Sequence, residues 1–181
     1  MTASSEPEDS GAPPFDPEDY RRTLGCFATG VTIITTRQLN GECAGLTVNS
    51  FNSVSLDPPL VLWSLSLFSQ SLLAFQEASH FAVNILAVDQ VELSNRFATR
   101  RDDKFDGLEY TLDECGVPLL AGCAAHLVCR QQYRHYGGDH IIFIGRVANF
   151  ARTDREPLVF CQGDYRVARP LPPDKLPGGS K

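Results

Sequence analysis

The chain has 181 residues, which is enough for one domain with a hydrophobic core. Its 43% hydrophobic and 21% charged residues are typical of a globular protein, and its net charge of −6 argues against a nucleic-acid partner, which would require a basic surface. The sequence shows no signal peptide and no apolar run near the roughly 20 residues of a membrane span, so we expect a cytoplasmic protein without membrane contact.

The predicted chain order begins with a polar tail at residues 1–15, which we expect to be disordered because it is rich in Ser, Glu, Pro and Gly. The folded domain is predicted over residues 16–169, and residues 170–181 are predicted to form a flexible tail. The domain opens with a helix predicted at 16–28, since Asp16 suits the N-cap and Pro17 the first turn. The apolar residues of this helix are expected to face the core.

Strands are predicted through the next part of the chain, where β-branched and apolar runs alternate with turn residues. Asn40 and Gly41 are the strongest short signal of a β-hairpin, so the first two strands should pair directly. The predicted strands span residues 30–36, 43–49, 54–55, 60–66 and 80–86. Helices are predicted at 71–78, with Ser69 as the N-cap, and at 89–98.

The last third of the chain is predicted to hold two long strands, at residues 122–135 and 140–153, joined by a glycine turn. They follow an irregular connection at 99–118 and precede two short strands at 157–160 and 164–167. Strands outnumber helices and adjoin through short turns, so the predicted fold class is mainly β with peripheral helices. The sheet is expected to be mostly antiparallel and to close on itself.

Several kinds of active site are excluded by the sequence. The chain lacks both the G-x-G-x-x-G and the Walker A motif, which argues against Rossmann or P-loop nucleotide binding, and it lacks the G-x-S-x-G nucleophile elbow. The six cysteines form no C-x-x-C pair, and no paired cysteine and histidine spacing is typical of a metal site, so no metal is predicted. We expect free thiols in a reducing compartment.

Polar groups are concentrated in two places between residues 43 and 71. One is the strand after the hairpin, where Gly45 is followed by the hydroxyl and amide side chains of Thr47, Asn49 and Ser50. The other is the start of the next predicted helix, where serines and free backbone N–H groups could receive an anion. The alternative is a serine-rich turn with an ordinary helix cap, and the serines alone favour that alternative.

Three further features have two interpretations each. Asn84 is a polar residue in an apolar strand, so it either tethers a neighbouring loop or contacts a ligand. Arg100, Arg101 and Lys104 form either a solvated surface or a landing place for a phosphate-bearing substrate. His140 follows a glycine turn, and it either caps that turn or contacts a ligand and helps to handle a proton.

Three blocks of the sequence together resemble the short-chain flavin reductases, the reductase components of two-component flavin-dependent monooxygenases. The blocks lie at residues 20–32, 45–60 and 138–145, with further matches at 81–84 and 104–105. They occur in the family's order and cover most of the predicted domain, so the resemblance is more specific than any single motif.

The resemblance implies an FMN-binding split β-barrel, usually a homodimer, that transfers a hydride from NADH or NADPH to FMN or FAD. The reduced flavin would then pass to a separate oxygenase. In such proteins the flavin carries the chemistry and the protein supplies orientation. A non-catalytic flavin-binding module on the same fold is the alternative. A use like that of the pyridoxine-phosphate oxidases is less favoured, because no cluster of arginines is present to hold a phosphorylated substrate.

The resemblance also assigns site residues by position. It implies that the flavin ring and ribityl chain lie along Gly45, Leu46, Thr47, Asn49 and Ser50. It implies that the phosphate end is held by Ser64, Leu65, Ser66, Gln70 and Ser71, with Phe81 and Asn84 nearby. His140 is expected on the nicotinamide side, where it would position NADH or NADPH for catalysis. Apolar or amide residues at 67, 68 and 70 stand where the family often has Arg or Lys, which predicts weak retention of flavin.

Overall fold

The computed structural model describes residues 15–172, so the predicted tails at 1–15 and 170–181 lie almost wholly outside the described residues. The described chain folds into short helices and strands joined mainly by turns. In chain order these are α1 (Pro17–Gly25), β1 (Thr29–Gly30), β2 (Thr32–Arg37), β3 (Cys43–Val48), β4 (Asn52–Leu56), β5 (Pro59–Ser66), α2 (Leu72–Glu77), β6 (His80–Ile85), α3 (Val91–Ala98), β7 (Tyr110–Leu112), β8 (Pro118–Leu120), β9 (Ala125–Gly137), β10 (His140–Arg152), β11 (Leu158–Cys161) and β12 (Asp164–Val167).

Seven strands in the described part of the chain form one antiparallel sheet, in the order β3-β2-β6-β9-β10-β5-β4. The prediction of a mainly antiparallel β fold is therefore confirmed. The sheet was expected to close on itself, but among residues 15–172 no backbone ladder joins its end strands β3 and β4. Instead the Ser50 hydroxyl, just after β3, donates to the Ser64 carbonyl on β5 and accepts the Ser64 N–H, at 3.1 and 3.0 Å. The sheet therefore curls until the end of β3 meets β5 through a side chain, at residues of β5 that β4 does not pair with, and it remains split.

The inside of the curled sheet is filled by aromatic side chains. Trp63 on β5 stacks on Phe143 of β10, with ring centroids 4.6 Å apart, and meets Phe75 of α2 edge to face at 4.9 Å. Burial alternates along β5 because successive side chains of a strand point to opposite faces. Burying each of these side chains contributes about 1.5–3 kcal/mol to the stability of the fold.

A second core lies on the outer face of the sheet, where α3 packs. Ile33 on β2 faces this core together with Phe97 of α3, whereas the next residue, Ile34, faces the aromatic core. The Thr47 hydroxyl on β3 donates to the carbonyl of Ser94 at 2.7 Å, which fixes α3 against β3. This contact places the C-terminal end of α3 and the loop that follows it beside the end strand of the sheet.

The first helix departs from the sequence prediction in two ways. The Asp16 cap is confirmed, because its carboxylate accepts the Glu18 N–H at 2.9 Å, but the helix ends at Gly25 rather than at residue 28. The second departure concerns burial. None of its residues is buried, and Leu24 is 56% exposed. The expectation that its apolar residues face the core of the same chain is therefore wrong. No layer of the described chain covers this face of the helix.

The connection predicted to be irregular at 99–118 also needs correction, because it contains β7 and leads directly into β8. Tyr110 pairs with Leu120, and Leu112 pairs with Pro118. The turn between the two strands is held by the Asp113 carboxylate, which accepts the N–H groups of Cys115 and Val117. Gly116 completes this turn with a φ of +76°, and its N–H donates to the Asp113 carbonyl at 2.9 Å.

Candidate functional site

A groove of about 900 Å³ opens beside β3, and this volume lies within the usual range for small-molecule sites. Its walls are β3 with the hairpin before it, the start of α2, and the loop at residues 98–106 after α3. The groove brings together five residues that the sequence predicted for ligand binding: Gly45, Leu46, Thr47, Gln70 and Ser71.

The outer edge of β3 supplies unpaired backbone groups to this groove. β3 ends the sheet, and among the described strands only β2 pairs with it. The Gly45 carbonyl accepts from Lys104 Nζ at 3.2 Å, so the backbone groups of Gly45 point away from β2. Because these directions alternate along an antiparallel strand, Cys43 and Thr47 also point outward. The edge therefore offers alternating donors and acceptors, which suit the polar edge of a planar heterocycle.

Gly45 is required by packing on its own chain. A Cβ atom at this position would lie 2.7 Å from Cε1 of Phe97 and 3.3 Å from the Ile34 carbonyl oxygen. The ring of Phe97 therefore occupies the space that a side chain would need. The sequence-based reason for this glycine, close approach of a ligand, stays a prediction beside this structural one.

Lys104 is the residue that sequence reasoning underrated. Its Nζ donates to the Gly45 carbonyl at 3.2 Å and to the Phe97 carbonyl at 3.0 Å, which joins the loop to β3 and to the end of α3. Burial lowers the pKa of its ammonium group. An ammonium has three N–H donors, and these two bonds leave one for a ligand. Its only sequence signals were the charged run and the family match at 104–105.

The loop charges are more balanced than the sequence suggested. Arg100, Arg101 and Lys104 line the groove, but so do the carboxylates of Glu42, Asp102 and Asp106. The Arg101 guanidinium is also engaged by both carboxylate oxygens of Asp103, at 2.5 Å each. Among the ion pairs of residues 15–172, none includes Arg100 or Lys104. Arg100 is therefore the loop cation left to meet a ligand's phosphate, whereas the Lys104 ammonium group is held at the edge of β3.

The serines before α2 mostly satisfy their own turn. The Ser66 hydroxyl accepts the Phe68 N–H at 3.3 Å, and the Ser69 hydroxyl accepts the Ser71 N–H at 3.2 Å. The helix is only six residues long, and its N-cap is Ser71 rather than the predicted Ser69. These contacts support the serine-rich-turn interpretation. Ser71 and Gln70 nevertheless remain on the groove wall.

A second polar surface lies at the end of β5 and the start of β10. His140 pairs with Ser66 across the ladder, and Ile142 pairs with Ser64. The side chain of His140 is 44% exposed, and its Nδ1 lies 2.7 Å from Oδ1 of Asp139, a contact that lowers the pKa of that carboxyl group. Ser50 joins this surface through Ser64, and Asn49 beside it is exposed.

Three predicted binding residues have buried side chains, so their place in the site stays a prediction that does not include a direct side-chain contact with a ligand. Leu65 is 2% exposed and Phe81 is 1% exposed, and both belong to the aromatic core. Asn84 is fully buried, and its Nδ2 donates to the Ile33 carbonyl and the Thr35 hydroxyl, both at 3.0 Å. Its Oδ1 accepts the Leu120 N–H at 2.9 Å. Asn84 is thus a tether between strands, which was the other interpretation of this residue.

The fold and the groove define a class of protein: a split antiparallel β fold with a groove beside an end strand whose outer edge is unpaired among the described strands and lies next to the cations Lys104 and Arg100. Comparison with known proteins gives the family. The chain belongs to the flavin reductase-like domain family, whose sequence profile matches residues 24–169.

Relatives and solved structures agree with this membership. The chain is 47% identical over 146 residues to the FMN reductase (NADH) SmoA of Agrobacterium fabrum, covering 81% of this chain and 83% of that protein. It is 41% identical over 157 residues to the reductase subunit HsaB of a flavin-dependent monooxygenase from Rhodococcus jostii, covering 86% and 80%. The NADH:FAD oxidoreductase SgcE6 of Streptomyces globisporus, solved with NAD and FAD fragments, superposes with a TM-score of 0.81 at 39% identity, covering 88% and 99%.

The family predicted from the sequence, its mainly β fold and its flavin reductase activity are confirmed by these comparisons. Within the described residues, no helix has the length and apolar character needed to cross a membrane. No group of three metal-binding side chains occurs in the same part of the chain.

Proposed function

We propose that this protein transfers a hydride from NADH or NADPH to FMN or FAD bound in the groove beside β3, and that the reduced flavin passes to a separate oxygenase. The observation that carries the proposal is the unpaired edge of β3 next to the half-buried ammonium group of Lys104. The pyrimidine part of a flavin has alternating N–H and C=O groups on its edge, which fit such a strand edge. The flavin phosphate is an anion, which fits the cations of the loop.

The residues of this chain bind and orient, while a bound flavin supplies the hydride-accepting chemistry. The backbone groups of Cys43, Gly45 and Thr47 fix the register of the ring edge. Lys104 donates its remaining N–H and places a positive charge close to that edge. Arg100, Gln70 and Ser71 line the part of the groove that suits a phosphate. No protein nucleophile is required, because hydride transfer depends on the alignment of the two substrates.

His140 is proposed as the residue that positions the nicotinamide. It lies on the second polar surface, where it pairs with Ser66, and Ser66 is three residues before Ser69 on the groove wall. Its contact with Asp139 at 2.7 Å holds the ring in one orientation. A partly exposed imidazole held in this way can hydrogen-bond the carboxamide of a nicotinamide.

A homodimer is the second part of the proposal. On α1 and just after it, Tyr20, Leu24 and Phe27 are 50%, 56% and 72% exposed, and they form an apolar face that water would not favour. We expect a second copy of the chain to cover this face. Light scattering of the purified protein tests this: twice the chain mass is expected, and Leu24→Glu should reduce it to one. A wild-type protein that is monomeric at all concentrations would contradict the dimer.

A cytoplasmic location is also proposed. The six cysteines lie within the described residues and are all free thiols, which suits a reducing compartment.

The activity is tested by mixing the purified protein with NADH or NADPH and with FMN or FAD in all four combinations. We expect rapid loss of the dihydronicotinamide absorbance in at least one combination, with release of reduced flavin that a separate oxygenase can use. Flavin binding without turnover in any combination would favour the non-catalytic module instead. Failure of either flavin to bind would overturn the proposed site.

A further inference from the structure

We infer that Arg96 is the positioning residue for Lys104. Its guanidinium group holds the turn at residues 103–106 in the conformation that presents the Lys104 ammonium group at the edge of β3. Arg96 lies in the last turn of α3 and is not one of the residues that line the groove. It therefore acts on a ligand through the turn rather than by contact. The inference rests on the proposed flavin site, to which it adds a residue that touches neither substrate.

The first observation is a pair of hydrogen bonds that close this turn. Arg96 Nη2 donates to the Asp103 carbonyl at 2.8 Å and to the Asp106 carbonyl at 2.5 Å. The turn's own backbone bond, from the Asp106 N–H to the Asp103 carbonyl, is long at 3.3 Å. The shorter bonds from Arg96 therefore fix the two ends of the turn relative to α3.

The second observation is the place of Lys104 within that turn. Lys104 follows Asp103 directly, and its Nζ donates to the carbonyl of Gly45 and to that of Phe97, the residue after Arg96. A lysine has a flexible four-carbon stem, and ordering such a side chain costs conformational entropy. Because Arg96 already holds the backbone on both sides of Lys104, the two bonds of Nζ have only the side chain to order.

The third observation is that the Arg96 side chain has no other polar partner in the described part of the chain. Both of its hydrogen bonds go to this turn, and its buried Nε has no partner among residues 15–172. None of the ion pairs of these residues includes Arg96 either. The polar interactions of this guanidinium group are therefore concentrated on the turn that carries Lys104.

Arg96 and Lys104 should then act on flavin binding as one unit. If Arg96 acts through Lys104, its removal costs no further affinity in a chain that already lacks the Lys104 ammonium group. An arginine that only stabilises α3 would weaken binding by the same factor whether or not Lys104 is present. The two cases are separated by a double-mutant cycle.

The test compares Arg96→Met, Arg96→Lys, Lys104→Met and the double variant Arg96→Met/Lys104→Met. Arg96→Lys should retain the effect, because a single nitrogen makes both bonds to the turn and an ammonium group has three donors. Arg166→Met is the matched control, since Arg166 lies on β12, has a side chain that is 52% exposed and does not line the groove. Titration gives the dissociation constants of FMN and FAD, and chemical denaturation confirms that each variant is folded.

We expect Arg96→Met to weaken flavin binding about five-fold, with Arg96→Lys and Arg166→Met within about two-fold of the wild type. The double variant should match Lys104→Met, at about ten-fold, rather than reach the product of the two losses, about fifty-fold. A loss of about fifty-fold in the double variant overturns the inference, as does an Arg96→Met that binds flavin like the wild type.

A second measurement requires no flavin. Lys104 is acylated with acetic anhydride in the ligand-free protein, and peptide mass spectrometry follows the rate. We expect Lys104 to react about five-fold faster in Arg96→Met than in the wild type or Arg166→Met, because the released turn opens more often. An unchanged rate overturns the inference even if flavin binds. Faster acylation together with a wild type that binds neither flavin upholds the positioning role and overturns the proposed function alone.

Discussion

The strands β5 and β3 belong to one sheet but differ in what their groups have left to bond. β5 is paired by β10 over residues 60–66 and by β4 over residues 59–62, and its inward residues Trp63 and Leu65 are almost fully buried. β3 is paired on one side only, and its other edge meets Lys104 and an open groove. The buried side chains of β5 contribute to the stability of the fold, whereas the outer edge of β3 has backbone donors and acceptors that a ligand can bind. Changes in the two regions should therefore separate stability from binding.

The largest effect is expected in the aromatic core, with Phe143→Ala. Phe143 is fully buried and stacks on Trp63, so its removal should lower the free energy of unfolding by about 3–5 kcal/mol through lost burial and a cavity. Chemical denaturation measures this. Phe150→Ala is the matched control on β10, since Phe150 is 76% exposed, and it should change stability by less than about 0.5 kcal/mol. Equal losses in the two variants would break the comparison.

Gly45→Ala tests the point where the two regions meet. The new Cβ would lie 2.7 Å from the Phe97 ring, so we expect a loss of about 1–3 kcal/mol in the free energy of unfolding and weaker flavin binding as α3 is displaced. Gly30→Ala is the control, because a Cβ there meets no atom within 4 Å. Adding Phe97→Leu to Gly45→Ala should recover part of both losses. A neutral Gly45→Ala would show that packing does not require this glycine.

The sequence predicted the paired region better than the groove. The hairpin at Asn40-Gly41 is confirmed, with Gly41 at a φ of +89° and its N–H bonded to Gln38, because such turns depend on adjacent residues. The role of Lys104 depends on a bond to a carbonyl 59 residues earlier, which no local pattern encodes. The polar character of Asn84 was visible, but its three partners come from β2 and β8, so only the fold could show that it is a tether.

Lys104→Met sharpens the comparison from the binding side. We expect flavin to bind about ten-fold more weakly, the effect of losing one charge-assisted hydrogen bond, with a much smaller change in stability than in Phe143→Ala. Titration with FMN and FAD measures the first effect and chemical denaturation the second. Lys104→Arg keeps the charge and should retain part of the affinity. A Met variant that binds flavin like the wild type would remove Lys104 from the site.

Lys104 should also make flavin binding depend on pH. Burial lowers its pKa below the ordinary 10.5, so the ammonium loses its proton at a lower pH than an exposed lysine does. Affinity for flavin is therefore expected to fall as the pH rises through the lowered pKa of Lys104 in the flavin-free protein, because only the protonated ammonium group carries the charge. Lys104→Arg should remove this dependence, since Arg stays protonated. An identical alkaline profile in the wild type and the Arg variant would assign the dependence to another group.

His140→Ala is expected to have the smallest effect, because a partly exposed side chain positions the nicotinamide without taking part in bond formation. We expect a rise of about three- to ten-fold in the KM for NADH or NADPH, equivalent to about 0.7–1.4 kcal/mol, with the KM for flavin unchanged. His135→Ala, at an exposed histidine of the neighbouring strand β9, is the control and should leave both values unchanged. If His140→Ala raises the KM for flavin instead, the second polar surface belongs to the flavin site. If it changes neither KM, nicotinamide binding takes place without this histidine, and the β3 edge is left to orient both substrates.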